Sequence, residues 1–233
     1  MHLLGLIKDG VIIKAENLGI ENFEIIKRLK AKLEYKEIYI RNDAKCAGLC
    51  EKTYGNLKGY DDCIFLCLGT GIGGAVFMGG NLLVPNNGEG FEIGHVVIKQ
   101  DGVKCNCGNR GCFERYASMK LLRQNIKLRT NLEDITGTEM YDLIKNDTDQ
   151  FKDIINEFLE NLKIGLTNYI NIFEPEAICI GGSFAHYGDL LLDKLKEKMI
   201  KDNKTYSKRI PKILTAKYEN DAGMIGATLV LQK

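Results

Sequence analysis

His95, Cys105, Cys107 and Cys112 form the run His-x9-Cys-x-Cys-x4-Cys, and no other feature of the sequence restricts the fold as tightly. Three thiolates and one imidazole are a standard tetrahedral zinc set. Cys105 and Cys107 can chelate from one tight loop, with Gly108 and Gly111 letting the chain curl around the ion. Four protein ligands fill a tetrahedron, whereas catalytic zinc keeps a position open. The run therefore predicts a structural zinc that braces a loop. Buried free thiols are the alternative, and such dense spacing in a Gly-rich loop argues against them.

The chain has eight cysteines in all, which raises the question of a disulfide framework. A chain of 233 residues that starts without a charged n-region, a long apolar core or a cleavage site is expected in the cytoplasm, where clustered cysteines bind metal. Cys46, Cys50, Cys63, Cys67 and Cys179 sit in apolar runs and are expected to act as buried small hydrophobes. Hydrophobic residues make up 45% and charged residues 27%, the mixture of a globular protein with one large domain or two small lobes. A net charge of +1, without a single-sign block, offers no footprint for nucleic acid and no polybasic patch for a membrane. No apolar run is long enough to span a bilayer.

Periodicity predicts alternating strands and helices, an α/β pattern with hairpins. Strands are expected at Val11–Ile13, Glu37–Ile40, Asp62–Leu68, Ala75–Met78, Ala177–Ile180 and around Ile213-Leu214. Helices are expected over Asn22–Leu33, Asp43–Thr53, Glu114–Arg129, Asp149–Phe173, after Gly181-Gly182-Ser183 through Met199, and from Asp221. Gly79-Gly80-Asn81 reads as a turn.

Gly69-Thr70-Gly71-Ile72-Gly73-Gly74 follows a buried strand. Glycines there expose backbone N–H groups with little obstruction, which suits phosphate. The same residues satisfy a dinucleotide G-x-G-x-x-G, but a strand follows instead of a helix, so that reading fails. A plain Gly-rich hairpin is the other possibility. Asn42 and Asp43 lie at a strand-to-helix junction, where one of them is expected to cap the helix. Glu92 and Glu114 flank the cysteine loop. Carboxylates and amides bind sugar hydroxyls well, although solvated loop acids are common.

Together these segments resemble the ROK family of bacterial sugar kinases and sugar-responsive repressors. The resemblance is carried by Asn42-Asp43-Ala44, by Leu68 to Gly74, by Gly90-Phe91-Glu92-Ile93-Gly94-His95 and by Cys105 to Glu114, continued by Tyr116-Ala117-Ser118. Asn17-Leu18-Gly19, Gly181-Gly182-Ser183 and Ala222 to Ala227 extend it over essentially the whole chain. It implies a two-lobed, actin-like ATPase (ribonuclease H-like) fold. It also implies a hexose between Asn42, Asp43, Glu92, His95 and Glu114, with Asp43 as general base. His95 would hold zinc through one ring nitrogen and face a sugar hydroxyl with the other. Gly69, Thr70, Gly71, Gly73, Gly181 and Gly182 would hold ATP, with magnesium as its counter-ion.

The family's opening Asp-x-Gly-Gly-Thr-Lys turn does not occur here; the pattern is entered near Gly5 to Gly10, with Leu4 and Leu6 where prolines are usual. The N-terminal lobe is therefore expected to be incomplete. Residues 1–60 would be its remnant, with the last helix (about 221–233) packing back on it, and 61–220 the large lobe. The expected function is ATP-dependent phosphoryl transfer to a hexose such as glucose, impaired by the missing turn. A non-catalytic sugar-binding or regulatory protein is the alternative. A homodimer is the expected assembly, without nucleic-acid or membrane partners.

Overall fold

The computed structural model describes residues 5–8, 10–15, 19–34, 37–85, 91–146, 148–202 and 210–229. Asn17, Leu18 and Gly90 of the motifs above lie outside them.

The core is organised by strand β4 (Cys63–Leu68). Successive side chains of a strand point to opposite faces, and both faces of β4 are covered. Ile64, Leu66 and Leu68 enter one core with Phe113, Leu162, Leu166 and Tyr169. Cys63 and Phe65 enter a second core with Ala47, Cys50, Leu57 and Ala222. A strand buried on both sides reads as a continuous apolar run, which is why the sequence revealed it.

Five strands form this sheet in the order β6-β5-β4-β7-β8. β5 (Ile72–Met78) pairs antiparallel with β4 and with β6 (Asn81–Leu82). β7 (Ala177–Gly181) runs parallel to β4, and β8 (Lys212–Thr215) runs parallel to β7. A second sheet, β1 (Gly5–Lys8), β2 (Val11–Ala15) and β3 (Ile20–Phe23), is an antiparallel meander followed by the short helix α1 (Ile25–Lys30).

On one face of the large sheet lies α2 (Asp43–Thr53), packed against α8 (Ala222–Thr228). Gly226 makes that contact possible: a Cβ there would meet the Cys46 carbonyl oxygen at 1.7 Å. On the other face lie α3 (Glu114–Ala117), α4 (Met119–Thr130), α5 (Gly137–Asn146), α6 (Thr148–Phe173) and α7 (Gly188–Asp202). None of the described helices is long and apolar enough to cross a membrane.

Several expectations need correction. Asn22 and Phe23 belong to β3, because Phe23 pairs with Ile12 across the ladder, so the predicted helix shrinks to α1. Glu37–Ile40 forms no strand; neither sheet offers it a neighbour. The predicted Glu114–Arg129 helix breaks at Ser118, whose ψ of 150° is extended and whose hydroxyl accepts from the Leu121 N–H. Such N-terminal capping starts a new helix instead of continuing the old one. Cys67 is only half-buried, unlike Cys46, Cys50, Cys63 and Cys179.

Candidate functional site: a cysteine–histidine centre beside an acid-lined cleft

The loop from His95 to Cys112 is closed by bridges between Val97 and Cys112 and between Lys104 and Arg110. The Cys105 N–H donates to the Asn109 carbonyl at 2.8 Å, and the Gly108 N–H returns to Cys105 at 3.1 Å. Gly108 (φ +96°) and Gly111 (φ +81°) adopt left-handed backbone. At Gly111 even the space is missing, since a Cβ would meet the Lys99 carbonyl oxygen at 1.8 Å. The tight turn thus follows from glycines at the two positions that need them.

This folding gathers all four predicted ligands. One donor atom from each of His95, Cys105, Cys107 and Cys112 lies within 4.8 Å of the other three. Cys105 Sγ is 3.6 Å from His95 Nδ1, and Cys107 Sγ is 3.5 Å from Cys112 Sγ. Zn–S bonds of about 2.3 Å at tetrahedral angles need sulfurs a little under about 4 Å apart, so the set fits zinc. Burial pushes the Cys105 thiol up. At Cys107 burial acts upward too, but hydrogen bonds from the Asn109 backbone and the neighbouring thiols outweigh it and hold the group low.

Glu114 links this centre to the glycine turn. Its Oε1 accepts from the Cys105 thiol at 3.2 Å and lies 3.8 Å from His95 Nδ1. Its Oε2 faces Gly71. Glu92 precedes the short helical turn Ile93–His95 and is ion-paired with Lys45 of α2 at 3.7 Å. Gly94 lets that turn lie on β5, where a Cβ would meet the Ile72 carbonyl oxygen at 1.9 Å. Tyr169 of α6 donates to the Ile93 carbonyl from beneath.

Asn42 proves to be the helix cap: its side chain accepts from the Lys45 N–H at 3.2 Å. Asp43 opens α2, and its Oδ1 accepts from the Ala44 N–H at 2.8 Å. Asp43 lines a cleft of about 470 Å³ together with Cys67, Gly69, Thr70, Gly182, Ser183, Glu219, Asn220 and Met224. Gly69, Thr70 and Ser183 also border a neighbouring cavity of about 360 Å³, walled by Lys120, Arg123, Met119, Met140 and Tyr187. Gly182 is left-handed (φ +67°), and a Cβ there would meet the Leu68 carbonyl oxygen at 2.5 Å.

Not every named glycine reaches the cleft lining. Gly73 sits inside β5 with its open side against Ala44, and Gly181 ends β7 packed on Phe65 and Ala216. Ser183, Glu219 and Asn220 were not singled out as site residues. Ser183 adjoins a named glycine pair, whereas Glu219 and Asn220 reach the cleft only through the tertiary fold.

The ROK family model matches residues 1–233. The chain is 32% identical over 217 residues to a glucokinase of Thermotoga maritima, covering 87% of this chain and 68% of that protein. It is 31% identical to a xylose repressor of Caldicellulosiruptor bescii, covering 82% of this chain and 50% of that one. Among solved structures, a ROK family glucokinase from Streptomyces griseus in complex with glucose and AMPPNP superposes with a TM-score of 0.84 at 26% identity, covering 96% of this chain and 77% of that one. The chain thus spans about two thirds of the glucokinase and half of the repressor. With a matching family model, these relatives and the actin-like ATPase fold of the ROK sugar kinases, the chain belongs to the ROK family.

Proposed function

We propose that the chain is a hexose kinase of glucokinase type. The observation that carries this reading is the shared cleft: the Asp43 carboxylate and the Gly69-Thr70 turn border the same space of about 470 Å³. A base and a phosphate cradle facing one volume are what phosphoryl transfer to a hydroxyl requires.

In this reading Asn42, Asp43, Glu92, His95 and Glu114 hold the hexose. Asp43 accepts the proton of the attacking hydroxyl. The new bond forms between that oxygen and the γ-phosphorus, the bond to the β-phosphate oxygen breaks, and ADP leaves. Thr70, Gly71 and Gly182 hold the phosphates through backbone N–H groups, Gly69, whose N–H donates to the Gly71 carbonyl at 3.0 Å, closes the turn that presents them, and Gly73 and Gly181 let the strands beneath pack closely. Magnesium supplies charge neutralisation at the phosphates. Zinc held by His95, Cys105, Cys107 and Cys112 supplies rigidity, fixing Glu114 and the His95 ring. We place the protein in the cytoplasm as a homodimer, which sedimentation of the purified chain tests.

The repressor relative favours a second reading, a sugar-binding regulatory protein that does not turn over ATP. One experiment separates the two: sugar-dependent ADP formation with ATP, magnesium and a hexose panel beginning with glucose. Turnover that falls by about 10²-fold or more in Asp43→Ala, as loss of a general base does, supports the kinase. Hexose binding without turnover, in a folded chain carrying one zinc, supports the regulatory protein.

A further inference from the structure

Glu51 is a fully buried carboxylate near the C-terminal end of α2. Its Oε1 accepts from the Lys217 and Tyr218 backbone N–H groups, each at 2.8 Å. Its Oε2 accepts from the Asn56 N–H at 3.0 Å. Asn56 in turn donates through its side chain to the Thr215 carbonyl at 2.8 Å. A buried carboxylate is costly unless hydrogen-bonded, and here three backbone donors satisfy it. Two of those donors tie residues 217 and 218 to α2.

That segment leads directly into the cleft. Residues 217 and 218 precede Glu219 and Asn220, which with Gly223 and Met224 line the same cleft as Asp43. Asp43 starts the helix that Glu51 nearly ends. The Tyr218 carbonyl accepts from the Asp221 N–H at 2.9 Å, carrying the constraint to the start of α8.

We propose that Glu51 is a positioning residue: it sets the width of the cleft by fixing the 217–221 segment to the helix that carries Asp43. It touches no ligand and acts through Glu219 and Asn220. The inference rests on the reading of this cleft as the nucleotide site. Its specific consequence is that disturbing Glu51 weakens nucleotide binding while leaving the zinc loop and the hexose side intact, because Glu92, His95 and Glu114 lie on other elements and Asn42 and Asp43 lie at the far end of α2, about two turns from Glu51.

Two variants of the full chain test it: Glu51→Leu removes every acceptor, and Glu51→Gln keeps an oxygen for Lys217 and Tyr218 but turns an NH₂ toward Asn56. Binding of a non-hydrolysable ATP analogue and of glucose is measured by calorimetry beside zinc content. The expected result is an analogue affinity lowered about tenfold or more in Glu51→Leu and less in Glu51→Gln, with glucose affinity and zinc unchanged. Unchanged analogue affinity in folded Glu51→Leu, or equal loss for both ligands, overturns the proposal. Hydrogen exchange on the unsubstituted chain supplies a measurement free of any folding defect: slow exchange at the 217 and 218 amides supports the clamp, and free-loop rates there overturn it. If the unsubstituted chain binds no analogue, the nucleotide reading fails by itself, while hydrogen exchange still decides whether Glu51 holds the segment.

Discussion

Gly71 lies against Glu114 so closely that a Cβ on the glycine would meet the Glu114 Oε2 at 2.5 Å. The glycine turn and the cysteine loop therefore pack against each other, joined where Gly71 meets the Glu114 carboxylate. The atom in the way is the tip of a side chain, which can rotate aside. Gly71→Ala is thus expected to cost less than about 1 kcal/mol of stability yet to weaken hexose binding, because Glu114 must leave its place. Thermal melts beside glucose titrations check the two effects separately.

Gly94→Ala should behave in the opposite way. Here the obstruction is the Ile72 backbone carbonyl at 1.9 Å, which cannot rotate aside without disturbing β5. Overpacking of this kind costs about 1–3 kcal/mol. We expect a lowered denaturant midpoint, with the shift at least twice that of Gly71→Ala.

Chelation should loosen the loop from residue 95 to 112 before it unfolds the sheet. The ligands lie outside the two strand-based cores, although Cys112 is followed directly by the fully buried Phe113. Zinc removal is expected to lower the melting midpoint and expose the loop to protease, with re-added zinc restoring both. Zinc binding displaces thiol protons, and burial raises Cys105, so affinity should fall as the pH is lowered. Metal titrations at several pH values measure the slope.

The remaining cysteines predict an alkaline limit. Burial pushes Cys50 and Cys67 up to about 11 and Cys63 up to about 12, from an ordinary 9.0. A folded-state value raised above the unfolded one adds stability that is complete below the unfolded value. That contribution disappears as pH climbs through the folded value. Stability should therefore decline between pH 9.0 and about 12, with the contribution of these thiols complete and independent of pH near neutrality. Equilibrium unfolding across that range, compared with Cys63→Ala, checks the sign.

What the sequence made legible was whatever local chemistry dictates. The metal ligands are close in sequence and need only a tight turn to meet. The continuous apolar run of β4 and a helix cap at the Asn42-Asp43 junction are likewise local signals, with the choice of Asn42 left to the structure. The capping box at the start of α5 is equally local: Thr136 Oγ accepts from the Glu139 N–H, and Glu139 accepts in return from the Thr136 N–H. The break at Ser118 hides because an extended ψ leaves no trace in the hydrophobic spacing. Glu219, Asn220 and the bonds of Glu51 to Lys217 and Tyr218 are long-range relationships, created only when the chain after β8 returns to α2.

β4 divides the molecule's tasks. Its odd residues anchor the layer that carries Asp43, and its even residues anchor the layer that supports the cysteine loop. Substitutions that retune one layer need not propagate to the other, because a strand stands between them. Crosstalk between the layers must then run around the end of β4, where the glycine turn lies against Glu114 and the Lys45–Glu92 ion pair joins α2 to the turn before His95.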